Sequence, residues 1–263
     1  MLGAIIGDAA GSLYEFESHK TKEFELFGEG ARLTDDSLMT VAVACACASG
    51  DIYDEADFKS SVKWWMRKIG REYPHAGYGG MFSRWLESDL MGAYNSFGNG
   101  SAMRVSPVAW AAQSLEEAEA LAKWSAEVTH NHPEGIKGAQ AVAAAVFLAR
   151  TGKSKEEIKA YTESHYYKLD FTLDEIRPGY SFDVTCQGSV PQAIQCFIEA
   201  TDFEDAVRNA VSLGGDGDTQ AAMAGAVAEA YYGIPAELRE KVSELMDARV
   251  KGYLEKYIAP LYK

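Results

Sequence analysis

Apolar side chains recur along this chain at intervals of three and four residues rather than two, which is the signature of helices. Polar punctuation cuts the pattern into lengths. Asp54 can cap EADFKSSVKWWMRKIG, which ends at Gly70, while Ser114 with Glu117 and Ser154 with Glu157 spell capping boxes before LEEAEALAKWSAEVTH and KEEIKAYTESHYY. Further helices are predicted over GIKGAQAVAAAVFLARTG, VPQAIQCFIEA, FEDAVRNAVSLGG behind Asp202, TQAAMAGAVAEAYYG, and AELREKVSELMDARVKGYLEKY after Pro235, the last as one segment. Strand alternation is absent except for a weak hint in SFDVTCQGSV.

Ala42 to Ala48, Ala139 to Ala145 and Ala221 to Ala230 are apolar on more than one face, and a helix apolar all round is buried. The predicted fold is therefore all-α, a compact multi-helix bundle around a layer of Ala-rich helices. The competing account is that Ala only raises helix propensity, but propensity does not require an apolar wrap. At 263 residues with no linker, repeat or low-complexity stretch, the chain is expected to form one domain over 1–263.

Charge narrows the partners. With 39 acids against 25 bases the formal net charge is −14, which disfavours nucleic acid, sequence-specific contacts included, and anionic membranes. MLGAIIGDAAGSLYEFES lacks the basic start and apolar run of a leader, and no 18 apolar residues run unbroken, so a soluble cytoplasmic protein is expected. Cys45, Cys47, Cys186 and Cys196 form no Cys-x-x-Cys pair and read as buried thiols.

Two short stretches carry the chemistry. GGDGDTQAAMAG places Asp216, Asp218 and Thr219 at the start of an apolar helix, and RLTDDSLMT places Thr34, Asp35, Asp36 and Ser37 at the start of another about 180 residues earlier. N-capping accounts for one acid per helix, at about 1 kcal/mol. It does not account for four acids with two hydroxyls beside glycines. A hard divalent cation such as Mg²⁺ does, because it takes carboxylate and hydroxyl oxygens, and four carboxylates balance two such ions if the helix starts converge. An EF-hand beginning at Asp216 fails, since Ala221 and Val227 stand where Gly and Glu are required. No zinc pattern links the histidines to the cysteines, and GGDGDT lacks the Gly-Lys-Ser/Thr ending of a phosphate loop. An aspartyl-phosphate phosphotransferase stays open as an alternative, although its nucleophile sits at the end of a buried strand and the residues before Asp216 look helical.

NSFGNGSAMRVSPVAW sets Gly98, Asn99, Gly100 and Ser101 before Arg104, a composition that can cradle a diphosphate on backbone N–H groups with Arg104 as anion fork, or simply make a turn. His130 and His132 in THNHPEG read first as structural hydrogen-bonders. Gly3, Gly7 and Gly11 suit close helix packing, with Asp8 among them and Glu15 just beyond.

Taken in order, GAIIGDAAGSLYE, LTDDS, GNGSAMRVSP, THNHPEG and GGDGDTQAAMAGAVAEAYYG resemble the ADP-ribosylglycohydrolase family, the group that includes dinitrogenase reductase-activating glycohydrolase. The resemblance implies an orthogonally packed all-α domain with two Mg²⁺ or Mn²⁺ ions at the base of an ADP-ribose cleft. It implies metal ligation by Thr34, Asp35 and Asp36 from one side and by Asp216, Asp218 and Thr219 from the other. It places Glu15 near the metals on a mobile loop, as ligand or water-activating group, and Asn99, Gly100, Ser101, Met103, Arg104 and His130 around the nucleotide. Many relatives carry Ser or Ala where this chain has Gly217, a change that removes no ligand and is expected to free the backbone to bend there.

The implied reaction is metal-dependent hydrolysis of the N- or O-glycosidic bond between ADP-ribose and an acceptor, reversing mono-ADP-ribosylation, with catalytic weight on Glu15, Asp35, Asp36 and Asp218. Its partner is an ADP-ribosylated protein or small molecule, met by a monomer. A metal-dependent phosphohydrolase or phosphotransferase and a non-catalytic ADP-ribose binder are the alternatives.

Overall fold

In the computed structural model, which describes residues 1–262, fifteen α-helices follow one another. They are α1 (Leu2–Gly11), α2 (Asp35–Ser49), α3 (Glu55–Glu72), α4 (Gly80–Glu87), α5 (Gly100–Met103), α6 (Ser106–Ala111), α7 (Leu115–Glu127) and α8 (Pro133–Arg150). The second half adds α9 (Lys155–His165), α10 (Leu173–Ile176), α11 (Cys186–Glu199), α12 (Phe203–Val211), α13 (Gly217–Tyr232), α14 (Ala236–Leu245) and α15 (Ala248–Tyr253), and ends in a π-helical turn at Leu254–Ile258 and a 3-10 turn at Ala259–Tyr262. The only β pairing among the described residues is one isolated bridge between Gly98 and Thr185. The fold is all-α and a single domain.

The Ala-rich helices are central, as their composition predicts. Every residue from Gly217 to Glu229 in α13 is buried, as is every residue from Asp36 to Cys47 in α2 and from Ala141 to Ala149 in α8. Helix α13 packs against α1, α8, α11 and α12, and α2 packs against α1, α3 and α6. Gly3, Gly7 and Gly11 of α1 oppose Gly225, Ala221 and Asp218 of α13, so the two helices run antiparallel with their backbones touching. A Cβ on Gly7 would overlap the Ala221 carbonyl. Gly7→Ala should therefore cost about 1–3 kcal/mol, seen as a lower denaturant midpoint. Gly252→Ala in α15, where a Cβ meets nothing within 4 Å, should hold or gain stability. Equal midpoints for the two variants would remove close packing as the reason for the glycines. At the far end of the same pair, Glu229 accepts from the Gly3 N–H at 2.8 Å and the Tyr262 hydroxyl at 2.6 Å, tying the C-terminal turn down.

Local chemistry corrects several predicted details. Asp54, Ser154 and Asp202 cap as expected, but α3 continues past Gly70 to Glu72. The box at Ser114 is half made: its hydroxyl takes the Glu117 N–H, while the Glu117 carboxylate turns to the Gln113 N–H at 2.8 Å. The segment after Pro235 is two helices, because Asp247 accepts from the N–H groups of both Arg249 and Val250 and starts a new one. SFDVTCQGSV is an extended loop running into α11, not a strand. The bend before the second acid pair lies at Gly214, where φ is 64°, and Gly217 is already helical. No helix among the described residues is long and apolar enough to cross a membrane. All four cysteines are buried free thiols.

Candidate active site

The antiparallel contact of α1 with α13, and the packing of α2 on α1, bring the starts of α2 and α13 together. Thr34 is the N-cap of α2, its hydroxyl oxygen 3.4 Å from the Asp36 N–H. Across the gap, the Thr219 hydroxyl donates to Asp36 Oδ2 at 3.2 Å, joining positions 183 residues apart. Asp216 accepts from Asn99 Nδ2 at 2.6 Å. The two acid stretches thus meet, as charge balance around a cation requires.

Asp8 completes the cluster and was not singled out by the sequence. It is fully buried in α1 and accepts the Thr34 N–H at 2.9 Å, the Thr34 hydroxyl at 2.6 Å, the Ser37 N–H at 3.1 Å and the Ser37 hydroxyl. Oxygen atoms of Asp8, Asp36 and Asp218 lie within 4.8 Å of one another. One signal could have exposed it: an acid inside an otherwise apolar, glycine-notched helix must be buried, and a buried acid needs donors.

The electrostatics are those of acids without a counter-charge. Burial, then the charge of Asp218, drives the Asp36 carboxyl far above the usual range, and burial, then Asp216, does the same to Asp218. Asp35 is pushed up to about 7 by burial and by Asp8. Asp216 is raised by burial, against the hydrogen bond from Asn99. Asp36 Oδ1 is buried with no hydrogen-bond partner. Oxygen donors alone, crowded and one of them unpartnered, fit a hard divalent ion and not Zn²⁺, which favours sulfur and nitrogen.

Above the acids opens a cleft of about 480 Å³, a size suited to a small-molecule ligand. Glu15, Asp35, Asp36, Asn99, Gly100, Met103, Arg104, His130, Asp216, Asp218 and Thr219 all line it. Thr34 and Ser101 do not: Thr34 faces Asp8 and Asp36 beneath, and the buried Ser101 hydroxyl donates to the Gly135 carbonyl at 2.7 Å. The glycine-rich wall is held by pairing with the loop before α11, the Asn99 N–H on the Val184 carbonyl and the Cys186 N–H on the Phe97 carbonyl. Asn95, at φ 54°, is the one non-glycine residue of the described chain in the left-handed region, and its N–H is caught by Asn131 Oδ1 at 2.7 Å.

Behind the wall, Arg104 is 1% exposed and donates to the Thr129 hydroxyl at 2.8 Å, which sits 2.7 Å from His130 Nδ1. Arg104 can only donate, so the Thr129 proton is free to go to Nδ1, leaving the imidazole proton on Nε2 toward the Gly100 side of the cleft. Burial, then the Arg104 charge, pulls the His130 pKa well down, so the ring is a neutral donor there. His132 serves instead as the N-cap of α8. Burial lowers the Arg104 pKa to about 10, and it stays charged. Glu15, half-buried on the loop after α1, is raised by burial and then by Asp216, with Arg32 opposing.

Fold and cleft define an all-α enzyme with a buried carboxylate centre beneath its substrate cleft. The chain belongs to the ADP-ribosylglycohydrolase family, whose model matches residues 1–262. It is similar to ADP-ribosylhydrolase ARH3 of Homo sapiens, 26% identical with 97% of this chain and 89% of the relative covered. It is also similar to the ADP-ribosylarginine hydrolase Tri1 of Pseudomonas putida, 29% identical over 92% of this chain and 73% of the relative. A solved structure described as an ADP-ribosylglycohydrolase-related protein complex shares the fold, with a TM-score of 0.64 at 24% identity and 93% of each chain covered.

Proposed function

We propose that this protein hydrolyses the glycosidic bond between ADP-ribose and an acceptor, reversing mono-ADP-ribosylation, and that it needs two Mg²⁺ or Mn²⁺ ions to do so. The observation that carries the reading is the meeting of the two acid stretches at the base of a cleft with a glycine-rich wall. Asp35, Asp36, Asp216 and Asp218, with the hydroxyls of Thr34 and Thr219, would hold the ions. When bound, such ions supply positive charge that orients ribose hydroxyls and acidifies a water.

The chain's own groups do the rest. The Gly100 N–H at the start of α5, the His130 Nε2–H and the buried Arg104 charge offer donors and positive potential to a diphosphate in an acidic protein. Asn99 fixes Asp216. Glu15 takes a proton from the attacking water as its oxygen bonds to the anomeric carbon; the bond to the acceptor breaks with its electron pair, and the proton passes to the acceptor. The phosphotransferase reading loses its support, because Asp216 opens a helix and no strand precedes it.

Incubation with defined ADP-ribosyl linkages, with and without divalent metal, tests this directly. Intact ADP-ribose should appear by mass spectrometry only with metal; inorganic phosphate in its place would sink the proposal. Independently of turnover, Mg²⁺ or Mn²⁺ at about 100 times its Kd should stabilise the fold by about 2.7 kcal/mol, a rise in Tm that chelator reverses. No change of Tm with any divalent ion would argue against the centre.

A further inference from the structure

The two acid stretches are held in different ways. Thr34–Asp36 is fastened from beneath by Asp8, which takes the N–H groups and hydroxyls of Thr34 and Ser37. Asp216 follows a bend, residues 212–215, that turns the chain from α12 into α13. The Leu213 and Gly214 N–H groups close on the carbonyls of Ala210 and Val211. Among the described residues one side chain donates to a backbone carbonyl of this bend: the Lys20 ammonium, which takes the Leu213 carbonyl and, at 2.5 Å, the Tyr180 carbonyl. A Cβ at Gly214 would lie 2.8 Å from the His19 carbonyl oxygen and 3.0 Å from Lys20 Nζ, so the lysine segment sits directly on the bend. Tyr180 carries the contact on to α13, its hydroxyl accepting from Gln220 Nε2 at 2.7 Å and donating to the Gly188 carbonyl at 2.6 Å.

We propose that Lys20 is a positioning residue of the metal centre: its ammonium clasps the Leu213 and Tyr180 carbonyls and so fixes the bend from which Asp216 and Asp218 reach the ions. The inference rests on the metal-binding part of the reading above. Lys22, two residues on, shows the ordinary fate of a lysine in an acidic chain, an ion pair with Asp205. Lys20 instead spends its donors on backbone. Burial, then the nearby Arg177 charge, lowers its pKa, so the position holds a cation against its surroundings. Bonds from a charged donor are about twice as strong as neutral ones, which suits a clasp on a short bend. The need for one follows from the acids it serves. Asp216 and Asp218 repel each other until an ion arrives, and a bend free to relax that repulsion would have to be gathered again at the expense of affinity. Because Lys20 lies on the same loop as Glu15, one clasp also sets that carboxylate's loop against the second acid stretch.

The test is the apparent Kd for Mn²⁺, measured by titration calorimetry on the full chain, beside the denaturant midpoint of each metal-free variant. Lys20→Met should weaken Mn²⁺ binding by about 10- to 100-fold. Lys20→Arg, which keeps a charged donor, should recover most of the loss, and Lys22→Met should leave Kd unchanged. Lys20→Gln, with a neutral donor, should fall between Met and native, and it carries the comparison if the Met variant does not fold. Plain electrostatics predicts the opposite sign, since deleting a positive charge near the acids should tighten binding of a cation. A role confined to holding the fold would lower the midpoint and leave Kd alone. A Kd unchanged or tighter in the Met and Gln variants, or a loss as large in Lys22→Met, therefore overturns the clasp and leaves the metal centre standing. Absence of Mn²⁺ binding to the native protein overturns the centre and the clasp with it. Turnover plays no part in this measurement, so a failure of the hydrolase reading shows separately, as linkages left uncleaved.

Discussion

Asp36→Asn should abolish turnover, by about a thousandfold or more, and in the same preparation raise the melting temperature of the metal-free protein. A single buried side chain produces both effects. Asp36 sits among Asp8, Asp35, Asp216 and Asp218 with one oxygen unpartnered, so without a cation its ionised form is opposed by desolvation and by four neighbouring charges. Asparagine removes the charge at nearly constant volume and still accepts from Thr219. The metal-free fold is relieved, while the ion loses a charged ligand, and the rate falls with it. The metal-induced rise in Tm should shrink in parallel. A metal-free Tm below that of the native protein would show that Asp36 is a stabilising cap, not a ligand in waiting.

The same electrostatics fix a pH dependence. A carboxyl whose folded pKa is raised favours folding fully below its unfolded pKa and loses that contribution as pH rises through the folded value. For Asp35 the window runs from an unfolded value of 3.8 to about 7. Metal-free protein should therefore lose stability across that interval, and divalent metal should restore it at the upper end.

Which parts of this molecule were legible in its sequence follows from what each depends on. Capping by Asp54, Ser154 and Asp202 is local chemistry and reads directly. Burial of α2, α8 and α13 follows from residues apolar on every face, because no solvent-facing side exists. Asp247 escaped notice because a cap inside a periodic stretch is masked by the periodicity around it. The convergence of Thr34–Asp36 with Asp216–Thr219 was readable only as a matched pair of designs; what joins them physically is Gly7 against Ala221, a contact between chain positions 214 residues apart. Asp8 shows the limit most clearly. Its partners, Thr34 and Ser37, were both in view, but nothing local says that α1 lays its acid against them.

Glu15→Gln should lower kcat by about 10² to 10⁴ while leaving the metal-induced rise in Tm in place. Glu15 differs from the aspartates in position and in bonding. It lies on a loop instead of a helix start and is half-buried, and no hydrogen bond fixes its carboxylate among the described residues. Burial and the nearby charge of Asp216 raise its pKa, with Arg32 pulling the other way, so the carboxylate is a better proton acceptor than a solvated one. Those are the attributes of a group that exchanges a proton with water and then with a leaving group, not of one locked around an ion. Glutamine keeps the length and shape and loses only the basicity, so KM should move little and the acidic limb of the pH–rate profile should flatten. The opposite pattern, a lost Tm response to metal with a rate rescued by excess Mn²⁺, would reassign Glu15 as a ligand. The proton would then have to leave through one of the aspartates, and Asp218, whose pKa stands far above the ordinary range, would be the first to test.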